Sequence, residues 1–164
     1  MIYHYHHPPV FLEIEIAYQN EYFIKKIRFL KETKEIQTNP LDQHQKKFIK
    51  VVVEYFHNYF HHLPLKNKPN FILEGTEFQI QVWKELNKIP MGEVVSYEEL
   101  AVRAGFSKSY ARAVGQACRK NPIPILIPCH RVIGKNESLV GFAGGIEIKK
   151  WLLKHENAKI SKKN

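Results

Sequence analysis

The sequence predicts an α/β N-terminal domain, a small antiparallel sheet plus a helix, followed by a mainly α C-terminal domain that carries a helix-turn-helix. Three observations lead there. Apolar and charged residues alternate from Leu12 to Ile16, the period of a half-buried strand. Phe48, Val51, Val52, Tyr55, Phe56 and Tyr59 recur at helical spacing. From Thr76 onward, two capping-box signatures and a glycine-containing turn mark short helices in close succession.

In the first half, residues 11–18 and 22–30 read as the two strands of a hairpin, with Asn20 and Glu21 in the connection. Asn39-Pro40 fits an N-cap followed by proline in the first turn of the helix that bears the aromatic stripe. His4, His6, His7, His44, His57, His61 and His62 crowd this half, and His57 and His61 would share one helical face. No cysteine or close carboxylate cluster completes a ligand set, so no metal is expected. The stretch from Pro64 to Asn70 is polar and proline-punctuated, as in a linker. The expected organisation is a first domain over residues 1–67, a linker over 68–75, a second domain over 76–160 and a basic tail over 161–164.

In the second half, Thr76 and Gln79 form one capping box, with Phe78, Val82 and Leu86 on one face of the helix that follows. Ser96 and Glu99 form another, opening a helix through Leu100, Ala101 and Ala104 that Gly105 can end in a left-handed conformation. After the turn at 106–109 a helix is predicted over 110–120, stopped by Asn121-Pro122. Ala111, Val114 and Cys118 would be its core face, and Arg112, Ala113, Gly115, Gln116 and Arg119 populate the rest. Glycine inside a helix costs about 1 kcal/mol relative to alanine. Small residues beside Arg112 and Arg119 would allow close approach, either to phosphates and a groove or to another helix of the protein. The last helix, over 146–156, places Ile148, Trp151, Leu152 and His155 at 3,4 spacing. Glu156 near its C-terminal end opposes the helix dipole; it is either a solvated charge or the group that orients an imidazole.

With 164 residues, 44% of them hydrophobic, the chain suffices for one domain or two small ones. No apolar run approaches the roughly 20 residues of a membrane span. The N-terminus lacks the basic-then-apolar order of a secretory signal, so no membrane partner and an intracellular location are expected, cytoplasmic or, in a eukaryote, nuclear. Cys118 and Cys129 are then expected as reduced thiols. The net charge of +9 is uneven: 15 basic against 8 acidic residues from Thr76 onward, and 10 against 8 before it. Such an excess favours a polyanion such as nucleic acid, although solubility also accounts for a modest surplus.

Within the apolar, proline-stiffened run from Asn121 to Val132, Pro128-Cys129-His130-Arg131 sets a thiol beside an imidazole. A thiolate is the nucleophilic form of cysteine, and His130 could be the base that produces it; adjacency alone favours a buried structural cysteine.

From about Phe78 to Glu156 the chain resembles the O6-alkylguanine-DNA alkyltransferases, the methylated-DNA–protein-cysteine methyltransferase family. The resemblance rests on Arg112-Ala-Val-Gly115, Asn121-Pro122, Ile127-Pro-Cys-His-Arg-Val-Ile133, Gly144-Gly145 and Trp151-Leu-Leu-Lys-His-Glu156, in the family's order and approximate spacing. The first half is similar only in outline. The resemblance implies that Cys129 accepts an alkyl group from O6 of guanine, and less readily from O4 of thymine, in double-stranded DNA, and is consumed in doing so. It implies that Glu156 polarises His130, that His130 deprotonates Cys129 through a water, that Asn121 braces the turn bearing the thiol, and that Tyr97 gives a proton to the departing guanine. Arg112 would fill the space of a base flipped out through the minor groove, with Ala113, Gly115 and Arg119 on the DNA-facing helix. Phe142, Ala143 and Gly144 would line the base pocket. No metal or diffusible cofactor is implied, and the protein is expected to act as a monomer.

The chain also departs from the family's pattern. Phe142 and Ala143 stand where a tyrosine and a serine are frequent, and the turn between Gly105 and Arg112 is one residue longer than usual. No cysteine occurs before Cys118, so the structural zinc of some relatives is not expected. The alternative is a helix-turn-helix protein that binds alkylated bases without repairing them; relatives of that kind carry another residue, commonly tryptophan, in place of Cys129.

Overall fold

A computed structural model describes residues 1–32 and 40–158. The chain divides into two compact units, Met1–Ile72 and Leu73–Asn164.

The first unit is a three-stranded antiparallel sheet in the order β1 (Ile2–His7), β2 (Val10–Gln19), β3 (Glu21–Leu30), with helix α1 (Gln43–Phe60). Along β2 the alternation buries Val10, Leu12, Ile14 and Ile16. Asn20 turns the chain into β3 in the left-handed region, at φ 65°, a conformation that asparagine tolerates. A bulge at Glu15/Ile16 shifts the register, so that Ile14 faces Ile27 while Ile16 faces Ile24. Strand β1 was not expected; it pairs from Ile2 opposite Glu15 to His7 opposite Val10. Tyr5 points from it into the core, with its ring 5.5 Å from Phe56 and 5.7 Å from Phe60.

The N-cap of α1 is Asp42, whose carboxylate accepts from the Gln45 amide at 2.8 Å while the Gln45 side chain accepts from the Asp42 amide at 3.0 Å. Asn39, the expected N-cap, lies outside the described residues, as does the tail at 161–164. The buried stripe is Ile49, Val52, Tyr55, Phe56, Tyr59 and Phe60, while Phe48 and Val51 are only half-buried. His57 and His61 do share a face: their rings stack 4.1 Å apart. Within the segment read as a linker, residues 70–72 run alongside β3. The Ile24 amide donates to the Asn70 carbonyl at 2.9 Å, and the Ile72 amide donates to the Ile24 carbonyl at 3.3 Å.

The second unit contains α2 (Glu77–Leu86), β4 (Val95–Ser96), α3 (Tyr97–Arg103), α4 (Ala111–Arg119), β5 (Val132–Ile133) and α5 (Ile146–His155). Both capping boxes form: Thr76 Oγ1 accepts from the Gln79 amide at 3.3 Å, and Ser96 Oγ from the Glu99 amide at 3.0 Å. Gly105 follows α3 at φ 81°. A 3-10 turn, Lys108–Tyr110, precedes α4, which begins at Ala111. Val114, Ala117 and Cys118 are the buried face of α4; Ala111 is half-buried. Trp83 Nε1 donates to the Ala117 carbonyl at 2.8 Å and Gln81 Nε2 to the Ala104 carbonyl at 2.6 Å, tying α2 to both helices of the helix-turn-helix. Strands β4 and β5 pair in parallel, Val95 with Val132 and Ser96 with Ile133, which carries the chain past Arg131 to the base of α3. Among the described residues no helix is long and apolar enough to cross a membrane.

Candidate active site

The run between α4 and β5 is buried almost throughout, and its polar backbone is satisfied locally. Asn121 does most of this: Nδ2 donates to the Ile127 carbonyl at 2.7 Å and to Cys129 Sγ at 3.2 Å, while Oδ1 accepts from the Ile123 amide at 3.1 Å. One amide thus closes the loop and touches the sulfur. Ile125 sits at φ 73°, a conformation that a β-branched residue adopts at a cost of about 1–3 kcal/mol. The strain lies in the segment that the Asn121 bonds hold, four residues before the thiol.

Cys129, His130 and Arg131 form a single 3-10 turn, and all three are buried. His130 Nε2 lies 2.8 Å from Glu156 Oε1. Glu156 caps the C-terminal end of α5, donating its own amide to the Leu152 carbonyl at 2.9 Å. Arg131 holds the same carboxylate in a fork, Nε to Oε2 at 2.7 Å and Nη2 to Oε1 at 2.8 Å, and its Nη1 donates to the Ile89 carbonyl. Gly92 (φ 84°) passes so close that a Cβ there would stand 3.2 Å from the Glu156 carbonyl oxygen. Burial pushes the Glu156 carboxyl up, but the bonds and charges of His130 and Arg131 outweigh it and hold the group well below the usual carboxylate range. Glu156 is therefore an anion, and an anion accepts. His130 donates Nε2–H to it, which leaves Nδ1 with the lone pair, and Nδ1 has no hydrogen-bond partner among the described residues. Burial lowers the His130 pKa despite Glu156, so the ring is neutral at pH 7.

Cys129 is 5% exposed, and burial pushes its thiol up to about 11, against the pull of the Asn121 amide and the Lys149 charge. Lys149 lies on α5 and is fully buried; Nζ donates to the Val132 carbonyl at 2.7 Å and to the Val140 carbonyl at 3.2 Å. The Tyr97 hydroxyl donates to that same Val140 carbonyl at 3.2 Å, and Lys149 Nζ lies 6.0 Å from the centre of the Tyr97 ring. Burial raises the Tyr97 pKa, helped by Cys118 and Cys129 nearby, so the phenol keeps its proton.

The remaining expected residues fall around this network. Arg112, Ala113 and Arg119 are exposed on α4. A methyl on Gly115 would meet the Tyr97 ring at 3.7 Å, so this glycine backs onto Tyr97 inside the unit. The Arg119 guanidinium lies over Gly141 (φ 56°), 3.2 Å from where a Cβ would be. Phe142 is half-buried, its ring edge-on to His130 at 6.3 Å; Ala143 is exposed and Gly144 half-buried, just before α5. A cleft of 610 Å³ opens between Val95, Tyr97, Arg112, Ile133 and Lys135, and Cys129 is not on its lining.

Sequence reasoning missed two participants. The motif that contains Arg131 predicts no partner for it. The 3,4 spacing of Ile148, Trp151, Leu152 and His155 points to a different face of α5 from the one that is buried, which carries Lys149, Leu152 and Leu153, followed by Glu156. The available signal was a lysine at 3,4 spacing from Leu152 and Leu153, on the stripe that ends at Glu156.

Residues 77–158 match the family model of the 6-O-methylguanine DNA methyltransferase DNA-binding domain. A methylated-DNA–protein-cysteine methyltransferase of Methanosarcina barkeri is 45% identical over 142 residues, 84% of this chain and 86% of that protein. One of Shigella flexneri is 54% identical over 82 residues, 50% of this chain and 47% of its own length. Among solved structures, the Mycobacterium tuberculosis O6-methylguanine methyltransferase superposes with a TM-score of 0.75 at 33% identity, over 99% of this chain and 96% of that one. The M. tuberculosis OGT in complex with DNA gives 0.72 at 36% identity, over 88% and 86%.

Proposed function

We propose that this chain, which belongs to the methylated-DNA–protein-cysteine methyltransferase family, moves the alkyl group of O6-alkylguanine, and of O4-alkylthymine, from double-stranded DNA onto its own Cys129. The observation that carries the proposal is the buried His130–Glu156 hydrogen bond of 2.8 Å beside a thiol that Asn121 holds in place.

The lone pair on His130 Nδ1 takes the Cys129 proton, through one water as the family resemblance implies, and Glu156 stabilises the imidazolium that results. Asn121 Nδ2 and the Lys149 charge stabilise the thiolate in a site where burial otherwise opposes it. Sulfur attacks the alkyl carbon in line with the C–O6 bond; the S–C bond forms as the C–O6 bond breaks, and its electron pair leaves with guanine. Tyr97, which holds its proton at rest, protonates the departing base and recovers a proton from His130. The thiol proton thus ends on guanine, and the sulfur ends as a thioether that water does not cleave.

The base reaches the thiol only when flipped out of the duplex, at a cost of a few kcal/mol that damaged pairing reduces. In this reading Arg112 fills the vacated stack, Ala113 permits close approach and Arg119 lies on the DNA side of α4. Phe142, Ala143 and Gly144 line the base pocket. Gly115 lies on the inner side of α4, beside the ring of Tyr97. The protein acts as a monomer where DNA is held, in the cytoplasm or, in a eukaryote, the nucleus.

The test is the mass of the peptide that bears Cys129 after incubation with duplex DNA containing O6-methylguanine. One methyl mass per chain, once only and lost in Cys129→Ala, is the expected result. An unmodified peptide beside bound, unrepaired DNA overturns the proposal in favour of a lesion-binding protein.

A further inference from the structure

The turn of the helix-turn-helix carries a half-exposed tyrosine with no evident structural need for its hydroxyl. Tyr110 closes the 3-10 turn just before α4, two residues ahead of Arg112, and is 49% exposed. One face of its ring stacks on Phe106 at 5.4 Å and 22°, and Phe106 in turn packs on Phe78 of α2 at 4.8 Å. The aromatic trio fixes the side chain before any partner arrives, so little rotamer freedom remains to be lost on binding. The hydroxyl makes no hydrogen bond to the described residues, although the backbone amide is satisfied by the Ser107 carbonyl at 3.0 Å. Around it, residues 106–113 carry Lys108 and Arg112 and no acidic residue.

We infer that Tyr110 is a DNA-backbone contact of this chain: its hydroxyl donates to a phosphate oxygen beside the N-terminal end of α4, and its stacked ring sets the angle at which α4 meets the duplex. The inference rests on the repair reading above and adds a residue to it. A preset aromatic with a free donor, flanked by cations on an exposed turn, matches a phosphate, which is anionic and accepts hydrogen bonds only. Contacts of this kind fix register and orientation and carry no base preference. They therefore determine how well the lesion is presented while leaving the chemistry at Cys129 untouched.

Tyr110→Phe keeps the stack and removes only the hydroxyl. With the full chain and unmodified labelled duplex, fluorescence anisotropy should show about tenfold weaker binding, the effect of one hydrogen bond to a charged acceptor. The salt dependence should be unchanged, because no charge has been removed; Lys108→Ala, as the reference, should lower its slope by about 0.9. Tyr110→Phe should react with free O6-benzylguanine at the parent rate. Binding equal to the parent overturns the inference and leaves Tyr110 as packing for Phe106. A parent chain that leaves Cys129 unmodified after incubation with duplex DNA containing O6-methylguanine overturns the repair reading instead, so the two failures are distinct.

Discussion

The first unit fills its interior with aliphatic and aromatic side chains, from Leu12, Ile14 and Ile24 to Phe56 and Tyr59. The second does that too, yet also buries Asn121, His130, Arg131, Lys149 and Glu156, which are all of the buried polar and charged residues found among the described ones. Removing charge from water is costly, and a buried ion pair is often no more stabilising than apolar residues of the same shape. The difference therefore shows which unit is arranged for stability alone and which gives up stability to hold reactive groups. In the second unit the cost is contained by pairing of the charges: Glu156 takes hydrogen bonds from His130 and Arg131, and Lys149 finds two carbonyls.

The largest effect should come from breaking that pairing. Glu156→Gln leaves Arg131 buried without its counter-ion and should destabilise the second unit by about 3–5 kcal/mol. It should also slow transfer from free O6-benzylguanine by about 100-fold or more, as expected when a general base loses its orienting anion. Urea melts and single-turnover rates read the two separately; an unchanged rate would remove Glu156 from the relay.

A substitution of similar energetic weight in the first unit should leave chemistry alone. Phe56 is fully buried, and Phe56→Ala should cost about 3–5 kcal/mol in the stability of the sheet and helix. The rate with free O6-benzylguanine should match the parent below the melting transition. A slowed rate would mean that the units share the work of the site.

Legibility in the sequence followed the same division. Alternation in β2, the capping boxes at Thr76 and Ser96 and the left-handed Gly105 were readable because each follows a local rule that the fold also obeys. The cluster of Cys129, His130, Asn121 and Glu156 was readable from a resemblance, since their meeting depends on where α5 ends relative to a loop more than twenty residues earlier. β1 went unseen although Tyr3, His4, Tyr5 and His6 alternate, because neither tyrosine nor histidine marks an apolar face as aliphatic residues do, and its pairing with β2 decides the matter. Arg131 and Lys149 went unseen for a different reason: a charged side chain is expected to face solvent, and only the finished packing shows the carboxylate and the carbonyls that admit one.

Acid should sharpen the comparison by a smaller amount. His130, held neutral mainly by burial, and Glu156, held ionised by His130 and Arg131 against its burial, both bind protons less readily folded than unfolded. Their contribution is complete above about pH 6.5 and is lost as pH falls, first through His130 and then, below about 4.5, through Glu156. Thermal melts between pH 8 and 3 should show the second unit losing stability more steeply than the first, and Glu156→Gln should flatten the fall below about pH 4.5. Parallel losses in both units would contradict the assignment.

The smallest effect concerns Gly115. A methyl there would meet the Tyr97 ring at 3.7 Å, an ordinary contact, so Gly115→Ala should stabilise the second unit by about 1 kcal/mol through helix propensity. A loss of stability would show that α4 needs a closer approach to Tyr97 than the free chain reveals.

The protonated, nearly sealed thiol of Cys129 has a further consequence for a protein that each molecule can use once. Peroxides and stray electrophiles attack thiolates, and a buried cysteine kept as a thiol beside Asn121 offers them little. Reactivity is withheld until a base arrives to demand it. In such a molecule slow chemistry at rest is shelf life: the pool of intact chains, and so the capacity to answer a burst of damage, is preserved by the same burial that makes the sulfur hard to ionise.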